Sequence, residues 1–264
     1  DKVKDCGCFG DALKLTPWES FTKDVVLLVF VLILFFGKSY ITPVFKSLPT
    51  TVLALLSFVA SLAFGYHVLM HLPSIDFRAY KIGDSLLKNM STPENAPKVV
   101  QEFTWVFDVN GEQQTVVTDG SYPEVNGDYV SVETKVVKEG YQPSILDFSI
   151  ESETDDLTST FLAKDKLVMI VSYNLETAET KGLEALKLFS KEAISKGYTV
   201  IGLSASGGDV KEAVKSSYGL DFEFYLCDEK ALKTVVRSNP GVLILRRGTV
   251  EQKAHWNDID NLDL

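Results

Sequence analysis

The rhythm of apolar and polar positions changes three times along this chain. Residues 25–36, "VVLLVFVLILFF", are apolar without a break, and residues 48–72 hold 25 positions with no Asp, Glu, Lys or Arg. Twelve residues are too few to cross a hydrocarbon core about 30 Å thick. The preceding "TPWE" extends the first run backwards as a capping box, with Thr16 as N-cap, Pro17 at the first helical position and Glu19 at the third. A helix over 17–37 would be about 31 Å long, with Trp18 at interface depth and Lys23 snorkelling outward. A core helix of a soluble domain is the competing reading of this first run. The second run predicts a helix over 48–72, whose Ala54, Ser57, Ala60, Ser61, Ala63 and Gly65 permit close approach of a neighbouring helix. Together the runs predict a transmembrane α-helical hairpin in a membrane segment covering residues 1–75.

Beyond it the rhythm is polar. Residues 76–97, with Pro93 and Pro97, read as a linker. Residues 98–139 then alternate with period two and predict a small β module. Its first hairpin turns at Asn110-Gly111, and "GDYVSVETKVVKEG" adds one more strand or a pair. From residue 140 to 264 buried-strand runs (167–172, 198–203, 222–226) alternate with amphipathic helices (178–196, 209–218, 229–237). A hairpin joined at Arg247-Gly248 follows. This alternation predicts an α/β domain, a parallel sheet with helices on both faces and two antiparallel strands added at the end.

Charge divides the chain in the same way. Residues 1–80 carry seven Lys/Arg and six Asp/Glu, and residues 81–264 carry 19 and 30, which together give the net charge of −10. With no basic cluster and no basic–aromatic interleaving, nucleic acid is excluded as a partner. The connection between the two apolar runs has Lys38 and Lys46 but no acid, which places it in the cytoplasm. The first residues and everything after residue 72 then lie on the extracytoplasmic side, and the lipid bilayer is a partner. The chain begins with Asp1 rather than Met and reads as a fragment or a processed product.

Candidate chemistry is concentrated at the start. Two of the three cysteines, Cys6 and Cys8, flank Gly7 in "DCGCFGD". A Cys-Gly-Cys pair can close a small strained disulfide ring of oxidising potential, and an extracytoplasmic loop is where such a bond persists. A redox pair, a loop staple and a metal site are the three readings. For the last, the sequence places too few further ligands nearby, and no metal site is predicted. His67 and His71 lie one turn apart at the end of the second apolar run, as a haem, metal or quinone contact or as interfacial imidazoles. Cys227, ending a strand, reads as a buried structural thiol, and His255 as a surface or edge-strand residue. "SASGGD" has no Lys-Ser/Thr after its glycines and is no phosphate loop.

Two stretches carry family resemblances. "GYQPSILDFSI", the β-α-β-α-β-α-β-β order and "SNPGVLIL" resemble the thioredoxin-like fold in its TlpA/peroxiredoxin form over residues 140–260. The resemblance makes Pro240 the cis-proline and Asn174, Leu175 and Pro240 the lining of the substrate groove. It also implies a Cys-x-x-Cys after the first core strand, where this chain has "SYNLETAETKG" and no cysteine. "DCGCFGD", the Pro-Trp helix start and the two apolar runs resemble the MauE/DoxX-like membrane proteins over residues 4–72. That resemblance implies a bacterial inner-membrane bundle of four helices, of which this chain would hold the second half, and "IDFRAYKIG" resembles the form fused to a thioredoxin-like domain. The expected function is a membrane-anchored thiol–disulfide component, with Cys6 and Cys8 exchanging electrons with an extracytoplasmic protein or a membrane quinone. The thioredoxin-like domain would bind the client. The alternative is a non-catalytic membrane-anchored scaffold whose Cys-Gly-Cys is a staple.

Overall fold

The structure is a computed structural model that describes residue 13, residues 15–42 and residues 47–264. Cys6 and Cys8 lie outside the described residues. Two compact units divide the chain: residues 1–86 with 147–264, and residues 87–146.

In the first unit, α1 (Pro17–Phe36) starts on the capping box read from the sequence: Glu19 N–H donates to Thr16 Oγ1, and Thr16 N–H donates back to Glu19 Oε2 at 2.8 Å. The helix stops one residue short of expectation because Gly37 closes it, its N–H donating to Ile33 O. A 3₁₀ turn (Lys38–Tyr40) follows, and then α2 (Ser47–Met70). α2 ends two residues early, ahead of Pro73, whose ring pushes Leu72 out of the helical region. Among the described residues one helix, Leu48–Met70, is long and apolar enough to cross a membrane. α1 differs because Glu19, Lys23 and Asp24 occupy its first eight residues. The large apolar side chains of both helices are exposed along their lengths, a larger contiguous apolar surface than soluble monomers ordinarily show.

The second unit is a three-stranded antiparallel sheet in the order β2-β1-β3, from β1 (Val100–Val109), β2 (Glu112–Thr118) and β3 (Asp128–Lys138); α3 (Leu86–Met90) leads into it. Asn110 and Gly111 both take positive φ, 58° and 88°, the geometry that lets a two-residue turn match the twist of its strands. Asp108 Oδ1 accepts the Gly111 N–H at 2.7 Å and fixes that turn. "GDYVSVETKVVKEG" forms one long strand, not a pair. Phe103, Trp105 and Phe107 share one face of β1, where Phe107 is buried beneath the rings of Tyr122 and Tyr129.

The first unit resumes with α4 (Thr158–Leu162) and a five-stranded sheet of β4 (Leu167–Val171), β5 (Thr199–Ser204), β6 (Glu223–Leu226), β7 (Gly241–Arg246) and β8 (Thr249–His255). The order is β6-β5-β4-β7-β8; β4, β5 and β6 are parallel, and β7 and β8 are antiparallel. The connecting helices are α5 (Thr180–Ser195), α6 (Gly208–Tyr218) and α7 (Glu229–Val235). All five residues of β4 are buried, which is why its sequence is continuously apolar. Val168 and Ile170 of β4 meet Val242 and Ile244 of β7 and Leu183, Leu186 and Phe189 of α5 in one core cluster. Alternate residues, Leu167, Met169 and Val171, point to the opposite face and are buried as well. α6 ends at Gly219, whose left-handed conformation (φ 60°) lets its N–H reach Lys215 O.

Both sheet edges are engaged. Glu151 exchanges backbone hydrogen bonds with Leu226 at the β6 edge, and residues 83–86 pair with β8 through Gly83 N–H to Val250 O and Leu86 N–H to Gly248 O, both 2.8 Å. The stretch leading there is held by side chains. The Arg78 guanidinium donates to the Lys233 and Thr234 carbonyls at the end of α7, and Lys253 Nζ to Asp76 Oδ2 at 2.6 Å.

Candidate functional site

β4 ends at Val171, and the chain turns through residues 172–179 into α5. Here a thioredoxin-like domain would present its cysteines. In this chain Asn174 and Thr177 stand at the two-residue separation of a Cys-x-x-Cys. The Asn174 Oδ1 accepts the N–H groups of Glu176 and Thr177 at 2.9 and 3.1 Å, a short side-chain turn that satisfies backbone ahead of the helix. α5 starts at Thr180, two residues later than its periodicity predicts, because the Glu179 N–H goes to Asn239 O at 2.9 Å instead.

Asn239 is the centre of the arrangement, and the residue pattern gave no sign of it beyond its place before Pro240. Its Oδ1 accepts from Ser172 Oγ at 2.7 Å. Its Nδ2 donates to Asn174 O at 2.7 Å and to Thr177 Oγ1 at 3.4 Å. The Asn239–Pro240 bond is cis, at the place where the resemblance put a cis-proline. Pro240 itself is buried against α5, where Gly182 makes room: a Cβ on Gly182 would sit 2.8 Å from Pro240 Cδ and 2.9 Å from Trp256 Cβ. Leu175 is only 3% exposed and points into the core. The Asn239 amide thus ties the Asn174 carbonyl to the cis-proline loop, with Asn174 half-exposed and Leu175 and Pro240 buried, and none of these three residues is among those lining the groove beside that loop.

That groove, of about 450 Å3, has walls that include Tyr173, Thr177, Glu179, Asn239, Trp256 and, from the last turn of α2, Leu69. The apolar helix thus forms one wall of the cleft beside the cis-proline. A tertiary contact holds it there: His71 Nδ1 bonds both oxygens of Asp258, at 2.8 and 2.9 Å. Asp258 belongs to a 3₁₀ turn, Trp256–Asn261. The His67 ring lies against His71, tilted by 33° with ring centroids 4.6 Å apart. The carboxylate partner that local sequence lacked comes from 187 residues away. Among the described residues no three His, Cys, Asp or Glu side chains are grouped to hold a metal ion.

His255 also lines the groove, at 4% exposure, so it is a buried residue at the end of an edge strand and not a surface one. Its Nδ1 accepts the Asn257 N–H at 3.2 Å, which leaves the proton on Nε2 in the neutral ring. Burial holds its pKa below the ordinary value and His71 adds to this, against the opposing charges of Asp258 and Glu179. Cys227 is a free thiol, 1% exposed, and burial pushes its pKa up to about 11. A thiol in that state is protonated at neutral pH and is neither nucleophile nor ligand.

Three parallel strands, two antiparallel ones and a cis-proline ahead of the fourth strand define a thioredoxin-like domain without cysteine at its usual site. No protein-family model matches the chain, and no curated protein matches it. Solved structures of the same fold do. Reduced Prx3 from Vibrio vulnificus is 12% identical, with TM-score 0.34, over 40% of this chain and 80% of that one. A thiol:disulfide interchange protein from Bacteroides sp. is 12% identical, with TM-score 0.33, over 44% and 82%. A bacterioferritin comigratory protein of Xanthomonas campestris is 15% identical, with TM-score 0.30, over 41% and 78%. At these values the overlaps add nothing to the strand order, which carries the fold by itself.

Proposed function

We propose that the chain is a membrane-anchored thiol–disulfide component whose own thioredoxin-like domain binds and does not react. The observation that carries the reading is Leu69 in the wall of the cis-proline groove: a client seated there lies against the end of the apolar helix. In this reading α1 and α2 anchor the chain in a bacterial inner membrane as part of a MauE/DoxX-like bundle. Two crossings return residues 1–16 and the folded domain to the same, extracytoplasmic side. Cys6 and Cys8 then supply the chemistry that the domain lacks. As a disulfide they accept two electrons and two protons from a client dithiol through a mixed disulfide, leaving the client oxidised; a membrane quinone takes them up and becomes quinol.

A second reading, a scaffold with a stapled loop, is favoured by one observation. The Asn174–Thr177–Asn239 network fills the place of the dithiol with satisfied hydrogen bonds. Titrating the Cys6–Cys8 pair in thiol–disulfide buffers decides between the two. Intact membranes are labelled with an impermeant maleimide before and after reduction, with Cys6→Ser/Cys8→Ser as control. Labelling only after mild reduction, with a potential above about −250 mV, supports exchange. A bridge that yields only to strong reductant supports the staple, and free thiols shielded from the reagent reject the topology.

A further inference from the structure

Immediately after α2 the chain presents three large apolar side chains to the outside: Ile75, Phe77 and Ile82 are 67%, 58% and 61% exposed. They stand on a fixed mount. Arg78 is tied to the α7 carbonyls, Asp76 to Lys253, and residues 83–86 to β8, so their exposure is built into the fold. Beside them a recess of about 350 Å3 is walled by Leu72, Pro73, Ile75, Ile82 and Lys81, with the Asp76–Lys253 pair also lining it. Residues 75–84 hold two cations, Arg78 and Lys81, and two acids, Asp76 and Asp84. Asp76 is held ionised: burial works against its charge, but the Lys253 ammonium and the Arg78 N–H outweigh it. With Asp76 paired to Lys253 and Arg78 turned to the α7 carbonyls, the exposed Lys81 ammonium is the cation that stands beside the apolar side chains.

We infer that residues 75–82 form an interfacial foot, seating Ile75, Phe77 and Ile82 at the headgroup–acyl boundary of the bilayer that α2 crosses, with Lys81 against anionic lipid phosphate. The inference rests on the proposed membrane span. Its support is chain continuity: Ile75 is five residues beyond Met70, so it lies no more than about 18 Å from the helix end. An apolar patch with a lysine beside it is also what an interface retains. The foot would fix the height of the domain above the membrane.

The test uses the full chain with Cys6→Ser and Cys8→Ser, in which buried Cys227 escapes labelling. Single cysteines at Phe77→Cys and Ile82→Cys carry a polarity-sensitive dye. Leu55→Cys in the middle of α2 and Leu188→Cys on the exposed side of α5 are references. The protein is reconstituted in phosphatidylcholine vesicles with and without phosphatidylglycerol, and headgroup-depth and chain-depth nitroxide lipids serve as quenchers. The foot predicts headgroup-depth quenching at 77 and 82 at least about threefold above Leu188→Cys, stronger with phosphatidylglycerol and weakened by Lys81→Glu. Deep quenching at position 55 with positions 77 and 82 no more quenched than 188 overturns the foot and leaves the span standing. No quenching at position 55 removes the span and the foot with it.

Discussion

Asn239 commits both atoms of its side-chain amide, to Ser172 on one side and to Asn174 and Thr177 on the other. Asn239→Ala would strand the buried Ser172 hydroxyl and free the loop that replaces the dithiol. The expected loss is about 1–3 kcal/mol, read from the shift in urea midpoint at unchanged slope. Cys227 makes the opposite point at the same scale. A thiol pushed up to about 11 by burial should resist iodoacetamide at pH 8 in the folded protein and react fully once guanidinium unfolds it. Rapid native labelling would show that the strand end opens. The side-chain roles were only half legible in the residues. The place of Asn174 and Leu175 after a buried strand is legible, but not that the Asn174 amide caps its own loop or that Leu175 turns inward, because sequence position does not say which way a loop side chain turns.

Elements fit here by close approach. Gly182, on the first turns of α5, meets Pro240 and Trp256 at distances no Cβ tolerates. Gly182→Ala should cost about 1–3 kcal/mol by overpacking, seen as a lower melting temperature, and it should broaden signals around the cis-proline loop before any distant ones. A second prediction concerns the β8 edge. Arg78 ties the incoming segment to the end of α7. Arg78→Ala should therefore accelerate amide exchange at Gly83, Leu86 and Val250 by roughly tenfold, which corresponds to about 1.4 kcal/mol of lost local stability. Unchanged exchange would mean that the backbone pairs alone hold the edge. Neither the segment's docking nor the glycine's role shows in composition: residues 76–97 read as a linker because the partners that hold their first part, residues 76–86, lie more than 150 positions away.

At the scale of the whole molecule, the pH dependence of stability should carry the mark of His255. Its folded pKa is depressed by burial, so the unfolded chain, near 6.5, binds a proton more readily. Its contribution is complete above about pH 6.5 and is lost as pH falls through the folded value. Melting temperature should drop between pH 7 and pH 5, and His255→Gln, which keeps an acceptor for the Asn257 N–H, should flatten that drop. A drop of equal size in the variant would assign it to other groups.

The sequence by itself determined the periodic elements: the capped first helix, the apolar helix read over 48–72, the Asn110-Gly111 hairpin and the alternating α/β half. Each follows from local patterning or local backbone preference. The missing cysteines after β4 were equally plain, because an absence of thiols needs no fold to be read. Only the tertiary structure decided that Asn239 bridges the vacated site, that His71 finds Asp258, that His255 is buried, and that α2 walls the groove. Those are contacts between residues far apart in the chain, and they depend on side-chain direction and close packing, which no local pattern encodes.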